Sequence, residues 1–359
     1  MRDVGPDKMN TPKQTRAEKK GLFLYVTPVT GVYLGESTNG EYRIDKVTLF
    51  SPKRFLRTRR YTFVYNNWRQ EAAKCAALKT TAVIAAVPAG GDPNTARRFG
   101  HGLIKDELSI LSSSRLNHSG RDRRGVVGIS GCLDSYDTED LLLGQTVDLM
   151  QTSSQRHAPE ELRITSEFLT MPDQFFPYRR LIQIIRGDRQ VDEGWRHILR
   201  NVAILAGRSQ NSIEMADAFL WNMIALEQIL LGEREHSGHE AKLLARCKSL
   251  FGYCPLWDRM SFDSALAKIY NARCALVHEG DRKNISLEHV ITSDLILSNV
   301  IGSLVFNSSR IASKASLIDH AEKAKARALL GIDARGKGWH WHFSNLRYSE
   351  GRLKKFWTL

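Results

Sequence analysis

The chain has 359 residues, with 52 Lys and Arg against 39 Asp and Glu, a formal charge of +13 and a pI near 9.6. Apolar residues at 42% and charged residues at 25% are ordinary for a globular protein and exclude collagen and wholesale disorder. The longest apolar runs, such as Thr81–Pro88 and Leu22–Val26, fall far short of the roughly 20 residues a membrane helix needs.

The length suits about two domains, and the positive balance points to a polyanionic partner without saying what is done to it. Cys75, Cys132, Cys247, Cys254 and Cys274 are odd in number and contain no CxxC pair, so a secreted disulfide framework is not expected. Residues 1–20 are polar and basic with no apolar stretch. They read as a disordered basic arm rather than a signal peptide, and the protein is expected to be cytoplasmic.

From Gly21 the pattern turns β-like. Leu22–Val26 is a short strand-forming run, and Gly31–Gly35 is a second segment bounded by glycines. Glu36–Gly40 has turn chemistry, ending in Asn-Gly. Tyr42–Phe50 alternates loosely, as one half-buried strand would, and Arg60–Trp68 is another strand candidate. Trp68–Thr80 carries helical spacing. Thr81–Val87 reads as a buried strand stopped by Pro88-Ala89-Gly90-Gly91. Asp92 then caps a helix with Pro93 at its first position, running to about Ser112. Gly120–Gly131 is Arg- and Gly-rich and reads as a loop. Residues 21–190 are thus expected to form a mixed α and β domain.

From about Asp192 every signal is helical. Gly194–Gly207 is one helix. Asn211-Ser212-Ile213-Glu214 is a capping pattern for a second, through Trp221 and Leu226 to Gly232. Ser237-Gly238-His239-Glu240 is a capping box for a third, ending at Phe251. Ser261 caps a fourth, which ends near His278 with Gly280 as its stop. Ser286 caps a long helix toward Ala312, and a charged helix covers Ile318–Leu330. The fold class expected is an α+β N-terminal domain followed by an all-α bundle over residues 191–330, with a basic, aromatic tail over 331–359.

The segment Phe262–Asp281 carries the chemistry. Its apolar stripe is Phe262, Leu266, Ile269, Tyr270, Leu276 and Val277, at helical spacing. Arg273 falls on that stripe, where a guanidinium is costly unless it is paired or lines a cleft. Two readings stay open: Arg273 pairs with a buried Glu, such as Glu227 on the second helix, or it faces a ligand. His278 follows in the last turn of the same helix. Five residues at 100° each place the two side chains about 140° apart on a straight helix. They flank one cleft only if the last turn loosens or a second subunit covers that edge. For His278 the alternative is a surface His capping the helix end.

The run Tyr270-Asn271-Ala272-Arg273-Cys274-Ala275-Leu276-Val277-His278-Glu279-Gly280 resembles the R-x4-6-H signature of the HEPN superfamily, in particular its Apea-like branch. Ala225–Leu231 around Glu227 is similar to that branch's "LExLL" segment, and Ser237–Leu250 is similar to its next helix, with Glu240 and Arg246 in place. Arg200–Leu220 resembles the helix and linker before them. The likeness spans about residues 193–310. Two positions depart from the pattern: Cys274 follows the Arg where active members often carry a polar residue, and Glu279 rather than Gly follows the His.

The resemblance implies a HEPN-like bundle that dimerises and, in active members, a metal-independent endoribonuclease without a cofactor. Arg273 would hold the scissile phosphate and His278 would exchange protons with the 2′-hydroxyl and the leaving oxygen. Glu227, Asn271 and Arg246 would support them. The products would be a 2′,3′-cyclic phosphate and a 5′-hydroxyl. RNA, a second copy of the chain, and an antitoxin or trigger would be the partners, as in toxins and phage-defence effectors. The alternative is a non-catalytic HEPN module that binds RNA or a nucleotide, or serves assembly.

Other signals are weaker. Arg54, Arg57, Arg59 and Arg60 beside Lys53, and Arg121, Arg123 and Arg124, are basic clusters that track phosphates or simply face solvent. His236, His239, Cys247 and Cys254 have a spacing that matches no common zinc site, so no metal is expected. Trp339 and Trp341 with His340 and His342 either stack on bases or dock the tail onto the protein. No P-loop, nucleophile elbow or HExxH occurs.

Overall fold

The structure, a computed structural model, describes residues 21–61, 63–64, 68–75, 78–79, 81–117, 121, 125–130, 140–143, 147–150, 161–172, 177–187, 191–232, 235, 237–251, 262–331 and 339. Its strands are β1 (Leu22–Thr30), β2 (Val32–Leu34), β3 (Glu41–Arg43), β4 (Thr48–Phe50), β5 (Val83–Gly90), β6 (Gly128–Ile129), β7 (Asp140–Leu143), β8 (Val147–Met150) and β9 (Leu162–Ile164). Its helices are α1 (Pro52–Arg57), α2 (Trp68–Lys74), α3 (Pro93–Ser112), α4 (Ser166–Thr170), α5 (Tyr178–Arg186), α6 (Glu193–Asn211), α7 (Met215–Leu230), α8 (His239–Phe251), α9 (Phe262–His278), α10 (Leu287–Phe306) and α11 (Lys314–Leu329). An antiparallel sheet therefore comes first and a helical region follows.

Strand β1 is the spine of that sheet. It pairs with β5 from Leu22 opposite Gly90 to Val29 opposite Val83, and on its other edge with β7 and the short β6. The order is β3-β4-β5-β1-β7-β8, while β2 and β9 pair in parallel apart from it. Both faces of β1 are covered, and its side chains alternate between two cores as a pleated strand requires. Leu24 and Val26 pack with Phe50, Phe55, Trp68 and Ile84 under α1 and α2. Tyr25 and Val29 face the other way, into a core continuous with helices α3 and α5 to α11. The change of element type near residue 190 is thus not a break in the core.

Helix α3 joins the layers. Asp92 caps it, accepting from the Asn94 and Thr95 amides, and Pro93 opens it, as the sequence predicted. Gly100 lets it lie against Tyr25, and Gly207 of α6 lets the two helix backbones touch at Ser109. Glu107, fully buried on α3, accepts from the Asp45 amide at 2.9 Å and pairs with Arg200 of α6 at 2.9 Å. Burial pushes its carboxyl pKa up.

Helix α10 runs through the middle of the helical layer, with every residue from His289 to Val305 buried. Its length and apolarity would suffice to cross a bilayer, but 94% of its most apolar window is buried inside the protein, as for a helix apolar on all sides in a protein core.

Four expectations are corrected. Tyr42–Phe50 is not one strand but the β3–β4 hairpin, with Glu41 opposite Phe50 and its turn closed by the Ile44 amide on the Val47 carbonyl at 3.0 Å. Arg60–Trp68 holds no strand among its described residues, and Trp68 opens α2. Pro88 does not stop β5, which continues to Gly90. Neighbouring β4 pairs only with residues 84–86 of β5, so among the described residues no strand pairs with Pro88 on that side, where a missing amide is tolerated. Asn211 does not cap α7; it ends α6, and its side chain clamps Val127, accepting from the amide at 3.1 Å and donating to the carbonyl at 2.9 Å.

Candidate functional site

Helix α9 buries Phe262, Ala265, Leu266, Ile269 and Leu276 against its neighbours. Val277, expected on that stripe, is exposed, and Tyr270 is half-buried. Arg273 therefore sits at the edge of the buried face, beside α7. The helix keeps α geometry to its end: the Glu279 amide donates to the Ala275 carbonyl at 2.9 Å, and Gly280, at φ 71°, turns the chain away. That left-handed conformation suits glycine. Beyond it Arg282 ties the turn to the start of α7, 2.8 Å from Asp217 and 3.6 Å from Glu214. The two helices consequently run antiparallel, with Arg273 level with Glu227.

Arg273 and Glu227 form an ion pair that carries one hydrogen bond. Nε lies 2.8 Å from Oε1, and Nη2 donates to Oε2 at 2.9 Å. The pairing the sequence raised for Arg273 is therefore present. Side-chain exposures of 20% and 18% place the pair at a surface edge, not in the core. Glu227 engages one edge of the fork, and Nη1 has no protein partner among the described residues. The planar guanidinium is thus anchored on one side with donors left over, which an ammonium cannot reproduce. Tyr270, one turn earlier, shares a hydrogen bond with Cys274, and burial raises the Tyr270 pKa, with Cys274 and Glu227 adding to the rise.

His278 is the last residue of α9, exposed, with no hydrogen-bond partner among the described residues. Because the last turn does not loosen, His278 and Arg273 remain about 140° apart and about 7.5 Å along the axis. Within one chain they do not converge. Asn271 is exposed and also makes no side-chain hydrogen bond among the described residues.

Arg246 lies between α7 and α8. Its buried guanidinium donates to both oxygens of Glu235, at 2.7 and 2.6 Å, and to the Leu230 carbonyl. It therefore locks the end of α7 to α8 and is not free to contact a ligand. Its hydrogen bonds, with one from the Gly232 amide, hold the Glu235 pKa down at about 2.

The basic clusters divide. Arg57 and Arg59 are exposed without ion pairs among the described residues. Arg54 and Arg60 both pair with Glu41, at 3.2 and 2.6 Å, which partly cancels their charge. Arg121 is corrected as a phosphate contact. Its side chain is 7% exposed, bonded to Asp294 of α10, itself 2% exposed, and to Ser209. Asp294 also accepts from Gln210 at 2.9 Å and Asn222 at 2.7 Å. A lone carboxylate inside the apolar run Val290–Val305 was the signal for this buried network. Arg123 and Arg124 lie outside the described residues.

Cys247 is buried and the His239 ring meets the Glu235 carbonyl at 2.6 Å, while His236 and Cys254 lie outside the described residues. Among the described residues no group of three His, Cys, Asp or Glu is placed to hold a metal. Trp339 stacks on His320 with ring centroids 4.6 Å apart and planes 13° apart, which is the docked reading of the tail at that residue. His340, Trp341, His342 and residues 1–20 lie outside the described residues. Compared with protein-family models, curated proteins and solved structures, the chain matches none of them.

Proposed function

We propose that the protein is a metal-independent endoribonuclease of the HEPN type, with Arg273 as the phosphate-holding group and His278 as the proton-transfer group. The observation that supports this most is the partly exposed guanidinium of Arg273, oriented by Glu227 with Nη1 left open, on a helix that ends in an exposed histidine. A charged, non-titrating donor and a titratable imidazole are what cleavage by 2′-hydroxyl attack requires. Divergence of the pair within one chain calls for a second copy, so that Arg273 of one protomer and the histidine of its partner share a cleft. The net charge of +13 favours RNA encounter. A toxin or phage-defence role is part of the same reading.

The neutralising contact of Glu227 favours the second reading, a non-catalytic RNA- or nucleotide-binding module in which Arg273 is chiefly structural. The two part experimentally. Purified protein is incubated with tRNA and total RNA in EDTA, and products are tested for 2′,3′-cyclic phosphate. The catalytic reading expects His278→Ala to keep RNA affinity and lose roughly 10²–10⁴-fold in rate. Arg273→Lys, which keeps the charge without the fork, should bind RNA and lose most turnover. Parental cleavage by Arg273→Lys refutes the assigned role; absence of cleavage with RNA binding intact moves the reading to the binding module. Light scattering should give about twice the 40.7 kDa chain mass, and a monomer at micromolar concentration refutes the shared cleft.

A further inference from the structure

A cleft of about 330 Å³ opens between the β3–β4 hairpin and helices α4 and α5, built by residues other than those of the α7–α9 site. Tyr42 and Arg43 come from the hairpin, Phe168 from α4, and Arg179, Gln183 and Arg186 from α5. The size falls at the lower end of small-molecule sites, about 300–1,000 Å³.

Three arginines line it, and the described groups that hold Arg43 and Arg186 are uncharged. Arg186 donates through Nε to the Ile44 carbonyl at 2.7 Å and through Nη2 to the carbonyls of Arg43 and Ile44. Arg43 Nε donates to the Asp45 carbonyl at 2.7 Å. Arg179 Nη2 donates to the carbonyls of Leu169 and of Met171, the latter at 3.0 Å. Carbonyl oxygens fix guanidinium orientation without cancelling the charge. Among the described residues no carboxylate lines the cleft. Glu41 is engaged by Arg54 and Arg60, Glu107 behind Tyr178 is buried against Arg200, and Glu167 of α4 is exposed without an ion pair among the described residues. Like charges gathered this way repel one another until an anion joins them.

The remaining wall is aromatic. Phe168 stands edge-on to Tyr42 at 6.1 Å and 5.9 Å from Tyr178. Rings beside guanidiniums suit a ligand that is planar at one end and anionic at the other. We propose that this cleft binds a nucleoside 5′-phosphate, with the phosphate between Arg43 and Arg186 and the base against the Tyr42–Phe168 wall. Arg43 and Arg186 are exposed and keep Nη1 without a protein partner among the described residues, so each offers donors to a phosphate.

The test is calorimetric titration of the full chain at low salt with each of the four ribonucleoside 5′-monophosphates, the matching nucleosides and inorganic phosphate. At least one nucleotide should bind tenfold or more tighter than both its nucleoside and phosphate. Arg43→Gln should weaken it at least tenfold with an unchanged melting temperature, since the Arg43 side chain makes only a local bond. Phe168→Leu should reduce the advantage of nucleotide over phosphate. Arg186→Gln is the secondary variant, because Arg186 also holds the hairpin. No binding of any nucleotide at millimolar concentration, parental affinity in Arg43→Gln, or phosphate binding as tightly as nucleotide each overturns the proposal.

Discussion

Replacing Gly207 with alanine sets two effects of opposite sign against each other. In an isolated helix the change stabilises by about 1 kcal/mol, because glycine is the poorer helix former. Here a Cβ on Gly207 would lie 1.6 Å from the Ser109 carbonyl oxygen, 2.4 Å from its carbon and 2.9 Å from its Cα. Reaching ordinary contact, near 3.5 Å, requires α3 and α6 to part by about 2 Å. Overpacking typically costs about 1–3 kcal/mol, and a backbone carbonyl cannot swing aside as a flexible side chain can, so the upper end applies. The clash wins, and Gly207→Ala should destabilise by about 2 kcal/mol. Two glycines of α3 calibrate the argument. Gly100→Ala meets Tyr25 Cβ and Cγ at 2.6 Å and should also destabilise. Gly102→Ala meets nothing within 4 Å and should stabilise by roughly 0.5–1 kcal/mol. Urea unfolding of the full chain, followed by circular dichroism and tryptophan fluorescence, gives all three midpoints. A Gly207→Ala midpoint at or above the parent refutes the close approach of the two helices.

Asp294→Ala should cost about 3–5 kcal/mol, since it removes the buried carboxylate that pairs with the Arg121 guanidinium. Adding Arg121→Ala should cost less than the sum of the two single changes, and simple additivity of the unfolding midpoints refutes the coupling. Glu235 supplies a pH dependence. Its folded pKa of about 2 lies below the unfolded value of about 4.3, so its contribution is present above that value and is lost as pH falls toward 2. Melting temperatures at pH 5 and pH 2.5 should therefore differ less in Glu235→Gln than in the parent, and an equal difference refutes the assignment.

Local grammar made most elements legible. Asp92-Pro93, Ser286 and Gly280 mark helix ends that the structure reproduces at Pro93, Leu287 and His278, because caps depend on one or two residues and their own backbone. What depends on distant partners was less readable. The Tyr42–Phe50 run satisfies a strand pattern, yet hairpin pairing across the Ile44–Val47 turn wins. Arg121 looks like any surface cation in an Arg-rich loop until Asp294, far along the chain, is brought to it. At the candidate site, Glu227 was legible as the partner of Arg273 because a charge on an apolar stripe demands one. The retention of helix geometry through His278, which keeps the two side chains apart, is fixed by the Ala275 carbonyl bonds and Gly280 and needed the structure.

Helix α10 gives the chain an order of assembly. The helices packed against it, α5, α7, α8 and α9, are synthesised before residue 287, so the faces they turn to it have no occupant until Phe306 has been made. Until then a chain growing from its N-terminus leaves the apolar residues that pack on α10 without their partner, and exposed apolar surface of this kind invites misfolding and association. Packing of the helical layer therefore waits for α10, and a chain cut short before Leu287 would lack the helix on which α5, α7, α8 and α9 pack.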